Sequence, residues 1–95
     1  MNEPQPTDSE IRKRRLLFRA WHRGTREMDL LLGRFADSEV GRLNEGEMAA
    51  FEKLLDAPEP DIYHWIMGTM PAPDEYDAAL MRKIHQFHLG SASLP

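Results

Sequence analysis

Cysteine is absent from the 95-residue chain. A disulfide framework, a thiolate metal site and a thiol nucleophile are thereby excluded, and a reducing compartment is the natural setting. Long apolar runs are missing too, none approaching the ~20 residues that span a bilayer. The first ten residues, Met1 to Glu10, carry neither the apolar centre of a secretion signal nor the Arg-rich, acid-poor character of a mitochondrial presequence, so the expected location is the cytoplasm. No stretch alternates apolar and polar residues over a useful length, which leaves nothing to form a half-buried strand. Gly24, Gly33 and Gly41 are too scattered for a phosphate-cradling loop, and the serines sit in the tails and a turn. Neither a nucleotide loop nor a Ser-His-carboxylate order can be assembled.

What remains suits one small domain. Six methionines are many for this length, and core filling is the commoner use of such flexible side chains. The net charge of −4 is unevenly spread. Residues 1–42 hold nine Lys/Arg against seven Asp/Glu, while residues 43–95 hold three against nine. From Arg12 to Arg26 there are seven basic residues and no acid, a run that attracts phosphates or a partner's carboxylates.

Residues 1–8 hold two prolines and little to bury, and are expected to be a flexible tail ahead of a single domain at 9–89. Asp8 or Ser9 is the expected cap of a first helix to about His22. Its apolar stripe reads Ile11, Leu17, Phe18 and Trp21, with Arg12, Lys13, Arg15, Arg19 and Arg23 outside it. Gly24 and Thr25 then make a corner, the glycine for a left-handed backbone and the threonine as a cap. A second helix, about Arg26 to Ala36, presents Met28, Leu31, Leu32 and Phe35, with Leu30 off the stripe. Asp37 to Arg42 reads as a turn. Asn44 and Glu47 form a capping box with Leu43 and Met48 as its staple, opening a third helix to about Leu55 whose Glu52 and Lys53 face water.

Pro58 and Pro60 end that helix, and Pro60 suits the first position of a fourth. This one buries Ile62, Trp65 and Ile66 and stops at Gly68. Past Pro71 and Pro73, Asp74 and Glu75 open a fifth helix with the stripe Tyr76, Leu80, Ile84 and Phe87, ended by Gly90, and residues 90–95 are expected to fray. The fold class is all-α, a compact bundle of five short helices.

Few of these residues point to chemistry. His85 and His88 share a helix face, but two imidazoles do not complete a zinc site, and solvated helix-end histidines are the simpler reading. His64 reads as structural or exposed. Surface carboxylates without a cleft are poor general acids or bases. A basic first helix meeting a second at a tight corner imitates a helix-turn-helix, which makes a small nucleic-acid-binding or regulatory protein the rival class. Against it stand the net acidity of the chain and a second helix too apolar and acidic to enter a groove. The corner itself leaves Arg23, Arg26, Glu27 and Asp29 as charged side chains on a rigid scaffold, a contact surface.

Arg23-Gly24-Thr25-Arg26-Glu27 also matches Arg-Gly-x-x-Glu, and in this the chain resembles the succinate dehydrogenase assembly factor 2 family of flavinylation factors. Arg15, Phe18 and Trp21 before the motif support the likeness, as do Glu47, Phe51, Leu54 and Leu55, and then Pro60-Asp61 followed by Trp65. Together these cover about residues 12 to 88. Glu59 stands where Asp would cap better.

The resemblance implies a five-helix, non-enzymatic chaperone, similar to the bacterial members and monomeric. It would bind the flavoprotein subunit of succinate dehydrogenase, with that of fumarate reductase as a further partner, and promote covalent attachment of FAD there while holding no cofactor stably itself. An antitoxin label also occurs in the family. Carried onto this chain, Arg23, Gly24 and Glu27 are the motif residues at the partner surface, with Arg26 and Asp29 beside them.

Overall fold

The order of elements follows the punctuation of the chain. In the computed structural model, which describes residues 5–58 and 60–92 (the last two by backbone alone), the helices are α1 (Asp8–Trp21), α2 (Arg26–Glu39), α3 (Glu45–Asp56), α4 (Ile62–Met67) and α5 (Ala78–Ala92). A 3₁₀ turn, Val40–Arg42, follows α2. No strand occurs among the described residues, so the fold is all-α as expected.

α1 packs chiefly along α2; α3 crosses α1 and reaches α5, which also touches α2 and carries α4. The shared core runs from Leu16 and Ala20 of α1 through Leu32, Phe35, Phe51 and Leu54 to Ile62 and Ile84. Phe35 lies near its middle, edge-on to Phe51 and to Phe87 at 5.8 Å each, geometry that suits the ring quadrupoles. No polar or charged residue is fully buried among those described.

The face of α1 differs from the expected stripe. Leu16 and Ala20 are the buried residues, Leu17 is half-buried and Phe18 is 63% exposed. The helix is rotated because its last residue, Trp21, lies flat over Gly33 of α2. A Cβ on Gly33 would fall 2.3 Å from that ring, and the indole N–H donates to Asp37 at 3.1 Å. Ala20, the residue before Trp21, is fully buried. The same contact accompanies the extension of α2 to Glu39, past the expected end at Ala36.

Caps account for most other boundaries. Thr7, not Asp8 or Ser9, caps α1, accepting from the Glu10 amide at 3.1 Å, so Asp8 belongs to the helix. The Asn44–Glu47 capping box is present in both directions. Asp56 is the last residue of α3 and Pro60-Asp61 form a turn, so α4 starts at Ile62, not Pro60. Asp74 and Glu75 also sit in a turn, and Asp77 instead receives the amides of Ala79 and Leu80 at 2.8 and 3.1 Å. Tyr76, freed from the helix, stacks on Trp65 at 5.3 Å.

α5 runs through Gly90, without the left-handed backbone expected of a terminating glycine. Expectations for residues 1–4, Glu59 and 93–95 lie outside the described residues. Glu52 and Lys53 do not simply face water either. Glu52 pairs with Arg12 across 2.6 and 2.9 Å, and the Lys53 ammonium sits 5.7 Å above the Tyr76 ring. That guanidinium holds the Glu52 carboxyl below the usual glutamate range by its hydrogen bonds.

Candidate functional site

The corner between α1 and α2 is tied by hydrogen bonds to three helices. α1 runs out at His22, whose amide turns back to the Arg19 carbonyl at 3.2 Å. Gly24 follows at φ +114, a conformation other residues seldom hold. Thr25 then caps α2, its hydroxyl accepting from the Met28 amide at 3.3 Å. One oxygen of Asp29 collects the corner's own amides, Arg23 at 2.7 Å and Gly24 at 3.3 Å. These are loop amides between the two helices, and the carboxylate supplies the acceptor that neither helix gives them.

Arg23 lies in this corner, not on α1. Its guanidinium crosses to the end of α3, donating to the carbonyls of Leu55 and, at 2.9 Å, Ala57. A cation at a helix C-terminus satisfies orphan carbonyls and opposes the dipole. The Nε of Arg23 is buried without a partner. Arg23 and Asp29 are thus half-buried and employed inside the chain, which corrects the expectation that both stand out as free charges.

Arg26, Glu27 and Gly24 are exposed. Arg26 and Glu27 have no hydrogen-bond or ion-pair partner among the described residues, and a Cβ on Gly24 would meet nothing within 4 Å. Two shallow depressions flank them. One, about 540 Å³, is lined by Trp21, Gly24, Arg26 and Asp29 among others. The second, about 240 Å³, is lined by Glu27, Arg34, Tyr63, Met67 and His88. Leu30 lines both.

Arg34 and Tyr63 are surface residues that sequence reasoning passed over, and Leu30, read only as off the stripe, joins them. Glu27, Leu30 and Arg34 are spaced three and four apart, a helix-face signal that was legible. The arrival of Tyr63 from α4 was not.

The basic run divides in the same way as the corner. Arg12 pairs with Glu52, Arg19 with Asp56, and Lys13 donates to the Gly41 carbonyl at 2.9 Å. With Arg23 tied to α3, Arg14, Arg15 and Arg26 are left without partners among the described residues, a much smaller field than seven cations with no acid between them suggest. The helix-end histidines are not simply solvated: His88 Nε2 lies 2.7 Å from the Leu31 carbonyl, and His85 Nδ1 is buried. His64 bonds to Thr69 at 2.8 Å. No group of three metal-ligating side chains converges among the described residues, and no helix there is long and apolar enough to cross a membrane.

Residues 14–88 match the model of the family described as flavinator of succinate dehydrogenase. The FAD assembly factor SdhE of Acetobacter pasteurianus is 37% identical over 73 residues, 77% of this chain and 67% of that protein. The mitochondrial succinate dehydrogenase assembly factor 2 of Dictyostelium discoideum is 38% identical over 82 residues, 84% of this chain and 57% of its own length. Assembly factor 2-B of Drosophila ananassae is 39% identical over 83 residues, covering 85% and 48% respectively. The chain thus spans about half to two thirds of the length of these relatives.

Proposed function

This chain belongs to the family of succinate dehydrogenase flavinators, and on that premise we propose that it is an assembly factor that docks on the flavoprotein subunit of succinate dehydrogenase and promotes covalent attachment of FAD to that subunit. The flavoprotein of fumarate reductase is a second client under the same reading. The bond-forming chemistry belongs to the flavoprotein and its FAD. The factor supplies a rigid surface, acts as a monomer in the bacterial cytoplasm, contributes no nucleophile and keeps no FAD of its own.

The observation that carries the reading is the division of labour inside Arg23-Gly24-Thr25-Arg26-Glu27. Arg23, with Asp29, fixes the corner from within. The exposed part of the motif, Gly24 and Glu27 with Arg26 beside them, is left for the partner. The open space over Gly24 admits a partner backbone closely, Glu27 accepts hydrogen bonds from partner donors, and Arg26 offers a fork to a carboxylate. Held there, the flavoprotein's domains keep the arrangement in which its histidine and FAD meet.

The test is co-expression of Glu27→Ala and Gly24→Arg variants with the flavoprotein, reading covalent flavin by in-gel fluorescence and fold by circular dichroism. Both are expected to remain helical and to leave the flavoprotein unflavinylated. Wild-type fluorescence from both variants would end this reading.

A further inference from the structure

One stripe of α1 lies outside the core. Ile11, Arg14, Arg15, Phe18 and His22 recur at three- and four-residue spacing, which puts them on one face of the helix. Ile11 is half-buried and the other four are exposed. The Phe18 ring stacks on His22 with centroids 4.0 Å apart and planes 18° apart, so it is held in place without entering the core.

The charge beside this ring is of one sign. Arg14 and Arg15 have no ion-pair or hydrogen-bond partner among the described residues, and Arg19, paired with Asp56, lies at the edge. The acids of α1, Asp8 and Glu10, both sit in its first turn, ahead of the arginines, where the helix dipole favours them.

The shape selects among partners that would meet an exposed ring between cations. A shallow depression on this stripe, about 330 Å³, is lined by Ile11, Arg14, Arg15, Phe18 and Arg19. All five belong to one helix, so the feature is a ridge with no second wall. A peptide segment held by apolar contact lies in a groove. A lipid surface needs none: it is broad, and it supplies phosphates for the guanidinium forks and an acyl boundary for the ring.

We propose that the outward face of α1 rests on an anionic lipid surface, with Phe18 at the acyl boundary and Arg14 and Arg15 on headgroup phosphates. The net charge of −4 does not forbid this, because charges beyond about 8 Å are largely screened at physiological salt and the surface meets the local arginines. Two unpaired cations and one ring make a reversible contact, half-saturated at lipid concentrations on the order of 1 mM. The contact is independent of the docking reading above.

The test is co-sedimentation of the full chain with large vesicles of phosphatidylglycerol and phosphatidylcholine in equal parts, and with vesicles of phosphatidylcholine alone. Binding to the mixed vesicles only is expected, weakening as salt is raised. Arg14→Gln combined with Arg15→Gln is expected to weaken it about 25-fold, or about fivefold for each charge, and Phe18→Ser about tenfold. All three positions are exposed, so circular dichroism is expected to match that of the native chain. Arg82→Gln, which removes an exposed cation from α5, is expected to change nothing.

No binding to the mixed vesicles overturns the proposal. So does an equal loss from Arg82→Gln, which reduces the effect to net charge, and so does full retention by Phe18→Ser, which leaves no insertion of the ring. If soluble polyglutamate binds with the same dependence on Arg14 and Arg15 while the vesicles do not, the face takes an acidic protein segment and the lipid proposal falls.

Discussion

Two turns of this chain use the same backbone device, a glycine at positive φ, and hold it in different ways. At Gly68, φ +79, the turn is closed largely by the backbone: the amides of Thr69 and Met70 both reach the His64 carbonyl, at 3.0 and 3.3 Å. At Gly24, φ +114, the amides go to a side chain, Asp29, and the neighbouring Arg23 is anchored on the end of α3. A turn that merely reverses the chain can be closed locally. The Gly24 corner draws on three elements, and its exposed residues are those left over when that bracing is complete.

The contrast breaks most visibly if function does not separate the two turns. Both substitutions, Gly24→Arg and Gly68→Ala, strain a positive-φ backbone, by about 1–2 kcal/mol for Gly68→Ala, and both are expected to lower the melting temperature, but only Gly24→Arg is expected to abolish covalent flavin in a co-expressed flavoprotein. In-gel fluorescence beside thermal melts distinguishes the two.

Next in size is Gly33→Ala, which places a methyl into the Trp21 ring that leads into the corner. Overpacking of this kind costs about 1–3 kcal/mol, read by urea unfolding together with a shift in Trp21 emission. Asp29→Ala is expected to cost about 1–2 kcal/mol, since two corner amides lose their acceptor. Thr69→Ala, at the backbone-closed turn, should stay within about 0.5 kcal/mol. Equal losses from these two variants would erase the distinction between the turns.

The smallest effect concerns the ion pairs of the scaffold. Glu52 is held below its ordinary value of 4.5 by hydrogen bonds from Arg12, and Glu47 is lowered by Lys83 and then by the Asn44 amide. A lowered folded-state value adds stability above the unfolded value and loses it on acidification. Melting temperature is therefore expected to decline as pH falls below 4.5, and Glu52→Gln should flatten part of that decline.

What could be read from residues alone followed range. Gly24, Thr25, Gly68 and the Asn44–Glu47 box are local devices, written within a few positions, and all four appear where the pattern puts them. The stripes of α2 and α4 were legible because their large apolar residues coincide with the buried face. On α1 they do not. Phe18 outweighs Ala20 in any pattern, yet Ala20 is the buried residue and Phe18 is exposed. The corner's inner ties were hidden for a related reason: Arg23 meets Leu55 and Ala57 more than thirty positions away, and no local spacing encodes that. The family likeness pointed to the motif as a surface; Gly24 and Glu27 are exposed there, while Arg23 and Asp29 are half-buried and also hydrogen-bonded within the chain.

The anchoring of Arg23 has a consequence for the rate and entropy of association. A free loop that becomes ordered on contact gives up about 1–2 kcal/mol for each residue fixed. Here the corner backbone is set by folding, so under the proposed docking a contact at Gly24 and Glu27 would not be offset by the cost of ordering them. Encounter with a partner is then governed by orientation and diffusion, with no wait for a segment to fold.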